Sequence, residues 1–313
     1  MTNFYGQYVG FGSSTPSGPS FRNMGTNYGY LCGGYPNKEH IGKSSFSSDG
    51  DQTDAGDLVG NHSGGGGSAD GTYGWVAGGS PTPYTDTVQK FTFATDSDAT
   101  DILNLHTAVA VTMGINNADY GYTCGGLPTT GPVYNIIQRW PFAPPDTAVD
   151  VGDLTQGTRG ACGMSGATHG YIAGGENDGP TVQHTDVINK ISFATATEDA
   201  VDHGDLYVTR KACAGNTSAD YGFVSAGYGA SSTINGIDRF ALESNTTATD
   251  WADMANSQYV VTGCPSTTHG YQFGGGYPLV DYVEKFPYAS QTNATDIGNL
   301  QHGASFEGTG VQY

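Results

Sequence analysis

The sequence predicts an all-β chain, a single six-bladed β-propeller of four-stranded antiparallel blades whose ring is closed by pairing of its N- and C-terminal strands. Three observations predict it. An element reading aromatic or His, then Gly, then aromatic, with a Gly pair after it, recurs six times. A strand-like element carrying one base follows each copy. The last residues look like the opening of a further unit whose remainder stands near the N-terminus.

The first element reads Tyr28-Gly29-Tyr30 with Gly33-Gly34, Tyr73-Gly74-Trp75 with Gly78-Gly79, and Tyr120-Gly121-Tyr122 with Gly125-Gly126. It continues as His169-Gly170-Tyr171 with Gly174-Gly175, Tyr221-Gly222-Phe223 with Ala226-Gly227, and His269-Gly270-Tyr271 with Gly274-Gly275. Its central glycines lie 45, 47, 49, 52 and 48 residues apart. The second element starts at Ile41, Val88, Ile137, Ile188, Ile237 and Val283, and stretches such as VQKFTF and INKISF alternate as a half-buried strand does. An Asp-containing stretch such as ATDILNL closes each unit, and a small-residue stretch such as RGACGMS precedes each Gly-pair strand. Four short strands in about 48 residues cannot cover both sheet faces alone, so the units must stack around an axis. After Leu300 the chain reads QHGASFEGTGVQY, a first strand with nothing after it. Residues 302–313 are therefore expected beside residues 28–34, protecting both edges. This divides the chain into an arm, 1–25, rich in Gly, Ser and Pro, and a propeller, 26–313.

Composition alone points elsewhere. Gly is the commonest residue at 49 copies, the formal charge is −19, and aliphatic residues are scarce, a mixture that usually means disorder. The periodicity overrides that reading, and 20 tyrosines supply apolar area. So acidic a chain repels phosphate backbones, which excludes nucleic acid as a partner. No apolar run approaches a membrane span, and the opening residues lack the basic and apolar regions of a signal peptide. The five cysteines form no C-x-x-C pair. Cys32 and Cys124 share a repeat position with Ala77, Ala173, Ser225 and Phe273, which reads as small buried thiols.

Six of the 11 bases occupy one repeat position, and one Asp recurs per unit. The expected charge pairs, third strand to fourth, are Lys43 with Asp54, Lys90 with Asp101, Arg139 with Asp150, Lys190 with Asp202, Arg239 with Asp250, and Lys285 with Asp296. They read as scaffold. Aspartate-rich turns such as Asp96 to Asp101 lack the Gly and the distal Glu of a calcium loop, so no metal and no cofactor are expected. No catalytic residue is assigned either. A copper oxidase needs converging imidazoles, yet His169 and His269 stand where other units carry Tyr, and the remaining histidines show no ligand spacing. A sialidase needs three arginines on one carboxylate, and Arg22, Arg159 and Arg210 fall in unlike settings.

Recognition is expected on the loops joining second and third strands, where length varies most, from 7 to 13 residues. These loops carry Tyr35, Tyr84, Tyr134, His184, Tyr228, Tyr277 and Tyr282 among Pro, Asn and Gly. Tyr on such loops offers contact area at low entropic cost and stacks on sugars.

With their Gly pairs and aromatic strands, the units resemble kelch repeats across nearly the whole chain. The resemblance implies a fourth strand centred on Trp, which only Trp251 supplies. The economical Gly/Ser/Thr/Asn-rich style further resembles virion proteins of tailed bacteriophages, in which kelch-like propellers are tail or capsid appendages. That resemblance implies a virion location after assembly in the host cytoplasm. It also implies docking to other virion proteins through residues 1–25, and a host-surface glycan as contact. A free carbohydrate-binding lectin is the alternative, and a galactose-oxidase-like or sialidase-like enzyme is the third reading.

Overall fold

The structure is a computed structural model, and it describes residues 24–36, 38–80, 83–178, 183–195 and 197–312. Everything outside strands in it is turn or loop, and six four-stranded antiparallel sheets carry the chain. Blade 2 illustrates the pattern, with strands Gly66–Ala69, Tyr73–Ala77, Thr87–Thr92 and Thr100–Asn104 in sequential order. Burial decreases along that order. The second strand, YGWVA, is buried from Gly74 onward, the third buries Val88, Gln89 and Phe91 among half-buried neighbours, and the fourth shows most of its residues to solvent. The first strand therefore lies nearest the axis and the fourth at the rim.

Blades 3 to 6 repeat this arrangement, beginning at Met113–Asn116, Cys162–Ser165, Ala214–Thr217 and Thr262–Pro265. Blade 4 adds a two-stranded flap, Glu176–Asn177 with Gln183–His184. Blade 1 is assembled from both ends of the chain. Thr309–Gln312 pairs with Tyr28–Gly34, setting Gly29 against Gln312 and Cys32 against Thr309. The expected closure is present.

The apolar core lies between blades, in six clusters. One joins Tyr30, Ile41 and Leu58 of blade 1 to Val76, Phe91 and Phe93 of blade 2. The sixth joins Tyr271, Phe273 and Val283 of blade 6 to Leu31 of blade 1, so the packing runs full circle. All five cysteines are buried and free.

Two glycine positions shape the ring. The first residue of each Gly pair has φ between 55° and 71°, and Ala226 fills it in blade 5. The second has φ between 100° and 145°, which only Gly takes at ease, and it is Gly in all six. At the axis stand Gly67, Gly114, Gly163, Gly215, Gly263 and Gly310, one per first strand. A Cβ on Gly163 would lie 2.1 Å from the Gly114 carbonyl oxygen, and one on Gly67 equally close to Gly310 O. Only glycine lets six strands meet there.

Neighbouring blades are also pinned by a buried polar side chain, the middle residue of each Ile/Val-x-base triplet. Gln89 Oε1 accepts from Val59 N at 2.7 Å, Gln138 Oε1 from Thr107 N at 2.7 Å, and Asn189 Oδ1 from Thr155 N at 3.0 Å. Asp238 Oδ2 accepts from Tyr207 N at 2.9 Å while Oδ1 pairs with the buried Arg210 at 2.5 Å. Glu284 Oε1 accepts from Asn256 Nδ2 at 2.7 Å. Blade 1 has Gly42 in the slot, and Lys38 substitutes. Its Nζ donates to the carbonyls of His302, Gly303 and Ala304 at 2.8–2.9 Å.

The expected in-blade charge pairs do not form. Between the aliphatic residue and the pin the register shifts by a bulge, which sets Asp54 opposite Gly42, and Asp150 opposite Gln138. Each base faces Thr or Val instead, and since side chains alternate, base and Asp point to opposite faces. Asp54, Asp150, Asp202 and Asp296 accept from the backbone N–H two residues on, at 2.9–3.2 Å. Asp101 and Asp250 hold the equivalent register. Five of the six bases lie over aromatic rings: Lys43 over Tyr28 at 4.3 Å, Lys90 over Tyr73 at 4.2 Å, and Arg139 over Tyr120 at 4.5 Å. Arg239 lies 3.8 Å from Trp251, and Lys190 5.9 Å from Tyr171. Their acids, where paired, belong to the next blade, Lys43 with Asp96 at 2.8 Å and Lys285 with Asp49.

Candidate functional site

The loops joining second to third strands and those leading into the first strands emerge on the same end of the ring. Three residues before each axial glycine the backbone turns left-handed, at Gly64, Val111, Gly160, Ala212, Val260 and Glu307, with φ of 52–65°. Valine is poorly suited to this region, at a cost on the order of 1–3 kcal/mol. A circle of hydrogen bonds between blades holds the turns. Gly160 N donates to Val111 O (3.3 Å), Ala212 N to Gly160 O (2.6 Å), Val260 N to Ala212 O (2.7 Å) and Glu307 N to Val260 O (3.3 Å). Gly64 N donates to Glu307 O (2.7 Å), and Thr112 N completes the circle on Gly64 O (3.2 Å).

This collar surrounds a cavity of about 420 Å³ on the ring axis, within the range of small-ligand sites. Below it a shaft of about 120 Å³ leads down to the axial glycines.

The residue before each left-handed turn forms a bridge with the residue just after a Gly pair: Ser63 with Ser80, Ala110 with Leu127, Arg159 with Glu176, Lys211 with Tyr228, Tyr259 with Gly276, and Phe306 with Tyr35. The scaffold is sixfold, but the side chains it presents are not. Blades 2 and 3 present small or aliphatic groups, blades 4 and 5 present cations, and blades 6 and 1 present rings.

The rings continue into a row. His184 contacts Tyr228 at 5.7 Å, Tyr228 contacts Tyr259 at 5.3 Å, and Tyr259 stacks on Tyr277 at 5.3 Å with an 18° interplanar angle. Phe306 follows at 5.9 Å from Tyr277, and Tyr35 at 4.9 Å from Phe306. Tyr277 is 69% exposed on a backbone with φ of 57°. A bulky side chain held in a strained conformation and shown to solvent is unusual unless it has a use. Burial, with Tyr277 and Tyr228 alongside, pushes the Tyr259 phenol up from its ordinary pKa.

Beside the row, Glu176 is braced by two cations, Arg159 Nε on one oxygen at 2.9 Å and Lys211 Nζ on the other at 2.5 Å. Glu307 lines the cavity on another side. Burial raises the pKa of its carboxyl, and its side chain has no partner among the described residues.

Of the loop residues expected to form a recognition face, Tyr35, His184, Tyr228 and Tyr277 come together in this row. Tyr84, Tyr134 and Tyr282 make no ring contact with it among the described residues: Tyr134 packs on the core between blades 2 and 3, and Tyr282 sits in a third strand opposite Asn299. Sequence reasoning missed Tyr259, Phe306, Arg159, Lys211, Glu176 and Glu307. The signal was a single variable column, Ser63, Ala110, Arg159, Lys211, Tyr259 and Phe306, always four residues before the axial glycine.

The fold and this mouth define a six-bladed β-propeller with a chemically polarised axial cavity. No protein-family model matches the chain, and no curated protein matches it.

Proposed function

We propose that the protein is a non-enzymatic binding protein that takes a saccharide at the axial mouth. The observation that carries this reading is the row of six rings, Tyr277 foremost, bordering a cavity that also offers charged and amide groups. Sugar rings present apolar faces to aromatic surfaces and hydroxyls to polar ones, which suits such a border. Glycosidase chemistry is disfavoured, because it needs two available carboxyl groups and both oxygens of Glu176 are already engaged. Titration of the full chain with a panel of oligosaccharides tests the reading. Tyr277→Ala is expected to weaken binding about tenfold or more, since burying the apolar area of a large side chain is worth roughly 1.5–3 kcal/mol, while Tyr84→Ala leaves it unchanged. Failure of every saccharide to bind, or a Tyr277→Ala variant equal to the wild type, overturns it.

The kelch-like repeat style supports a second element of the proposal, a place on a virus particle. One observation favours attachment by the N-terminal arm. Gly25 N donates to Pro265 O at 2.9 Å, so the described end of the arm, Met24 and Gly25, lies at the end of the ring opposite the mouth. Residues 1–23 themselves lie outside the described residues. A protein docked by one face and binding by the other needs this arrangement. Deleting residues 1–25 is expected to abolish incorporation into particles and to spare saccharide binding; normal incorporation removes the arm's role.

A further inference from the structure

Resting on the reading of the mouth as a saccharide site, we infer that its ligand is an acidic sugar, whose carboxylate is held by the free Nη edge of Arg159 with Lys211 beside it. Arg159 donates through Nε to Glu176 at 2.9 Å, and its Nη1 and Nη2 have no partner among the described residues. The guanidinium is thus oriented by one carboxylate and offers its outer edge to another. That edge carries two parallel donors, the geometry a planar carboxylate accepts in bidentate fashion. Lys211 spends one of its donors on Glu176 and keeps two. Both side chains are about a quarter exposed and both line the cavity, next to Tyr259 and Tyr277.

The placement of bases elsewhere makes this pair distinctive. Six of the 11 occupy the third-strand column, Lys38 is spent on three carbonyls, and Arg210 is buried against Asp238. Among the described residues, only Arg159 and Lys211 bring cationic donors to the mouth. With Glu176 counted, the cluster carries one net positive charge in a chain of −19. One unit of charge suits a monoanion. Burial raises the pKa of Glu307, the other acid of the cavity, which lessens its repulsion of an incoming anion.

The probes are a glucuronate-containing and an N-acetylneuraminate-containing oligosaccharide, each paired with its carboxyl-reduced counterpart, titrated into the full chain. At least one acid is expected to bind about tenfold or more tightly than its reduced form, the size of one charge-assisted hydrogen-bond pair. Arg159→Gln should erase that difference while weak binding persists, and Arg159→Lys, which keeps the charge but not the fork, should restore only part of it. Unchanged unfolding midpoints certify the variants. Equal binding of acid and reduced forms, with both still weakened by Tyr277→Ala, overturns the carboxylate inference and leaves the saccharide site standing. Binding of neither form by the wild type, where a neutral oligosaccharide of the panel still binds, overturns the inference alone; failure of every saccharide removes the site with it.

Discussion

The middle residue of each Ile/Val-x-base triplet is where a single side chain decides most. Gln89, Gln138, Asn189, Asp238 and Glu284 are all 3% exposed or less, and four of the five accept from a backbone N–H of the preceding blade. An amide performs this task without charge. Glu284 is the exception in need of explanation: burial pushes its pKa up to about 7, Asp296 adds to the shift, and the hydrogen bond from Asn256 opposes it. The folded state therefore holds a proton that the unfolded chain releases near the ordinary value of 4.5. Between about pH 4.5 and 7 the folded form binds more protons, so this group's stabilising contribution is complete below 4.5 and is lost as pH rises through 7. Glu284→Gln keeps the acceptor for Asn256 and removes the ionisation. The variant is expected to match the wild type in urea unfolding at pH 4 and to exceed it by on the order of 2–3 kcal/mol at pH 8. A constant difference between the two proteins across that range would show that the carboxyl is already ionised in the fold.

At the scale of strands and loops, the residues that were legible are those the repeat constrains. The Gly pairs had to be read as backbone punctuation, because their second member takes a φ of 100° or more in every blade. VQKFTF had to be a third strand, because Val88 and Phe91 are buried on the two opposite interblade faces of blade 2. The charge column misled because counting along a strand cannot show a bulge. One extra residue, Val151, between the pairs Ile137–Gly152 and Gln138–Asp150 turns Arg139 toward Tyr120 and Asp150 toward its own Gly152. The loop tyrosines divide by distance from the Gly pair. Tyr35 and Tyr228 follow it directly and stay at the rim, whereas Tyr84 and Tyr134 come five and eight residues after Gly79 and Gly126, on the way to the third strand. Arg159, Lys211, Tyr259 and Phe306 were hidden for a different reason. They stand outside any strand, in a column defined only by the left-handed turn that follows, and that turn is made by Gly, Val, Ala or Glu. A propensity argument does not place such a turn at valine; the carbonyls of the neighbouring blades do.

For the whole molecule, the ring depends on a last strand contributed from the far end of the chain. Thr309–Gln312 completes blade 1, places Gly310 in the axial circle, puts Val311 into the core between blades 1 and 2, and lets Thr309 Oγ1 donate to Gly65 O at 3.1 Å. In an open stack each blade needs only its neighbours, so losing a terminal strand would fray one end. A closed ring behaves differently, since opening one interface leaves Tyr28–Gly34 as a free edge and uncovers the sides of two blades together. Deleting residues 308–313 is therefore expected to lower the unfolding midpoint sharply and to cause self-association through the exposed edge, visible by light scattering. A synthetic peptide of residues 306–313 supplied in excess should pair with that edge and restore the monomer, as strand addition at a vacant edge does. The dependence on peptide concentration distinguishes closure from simple truncation damage, because only a protein lacking a strand gains stability as that strand is added. A truncated chain that stays monomeric with the midpoint of the full protein would mean that five blades and a remnant hold themselves together without the sixth contact.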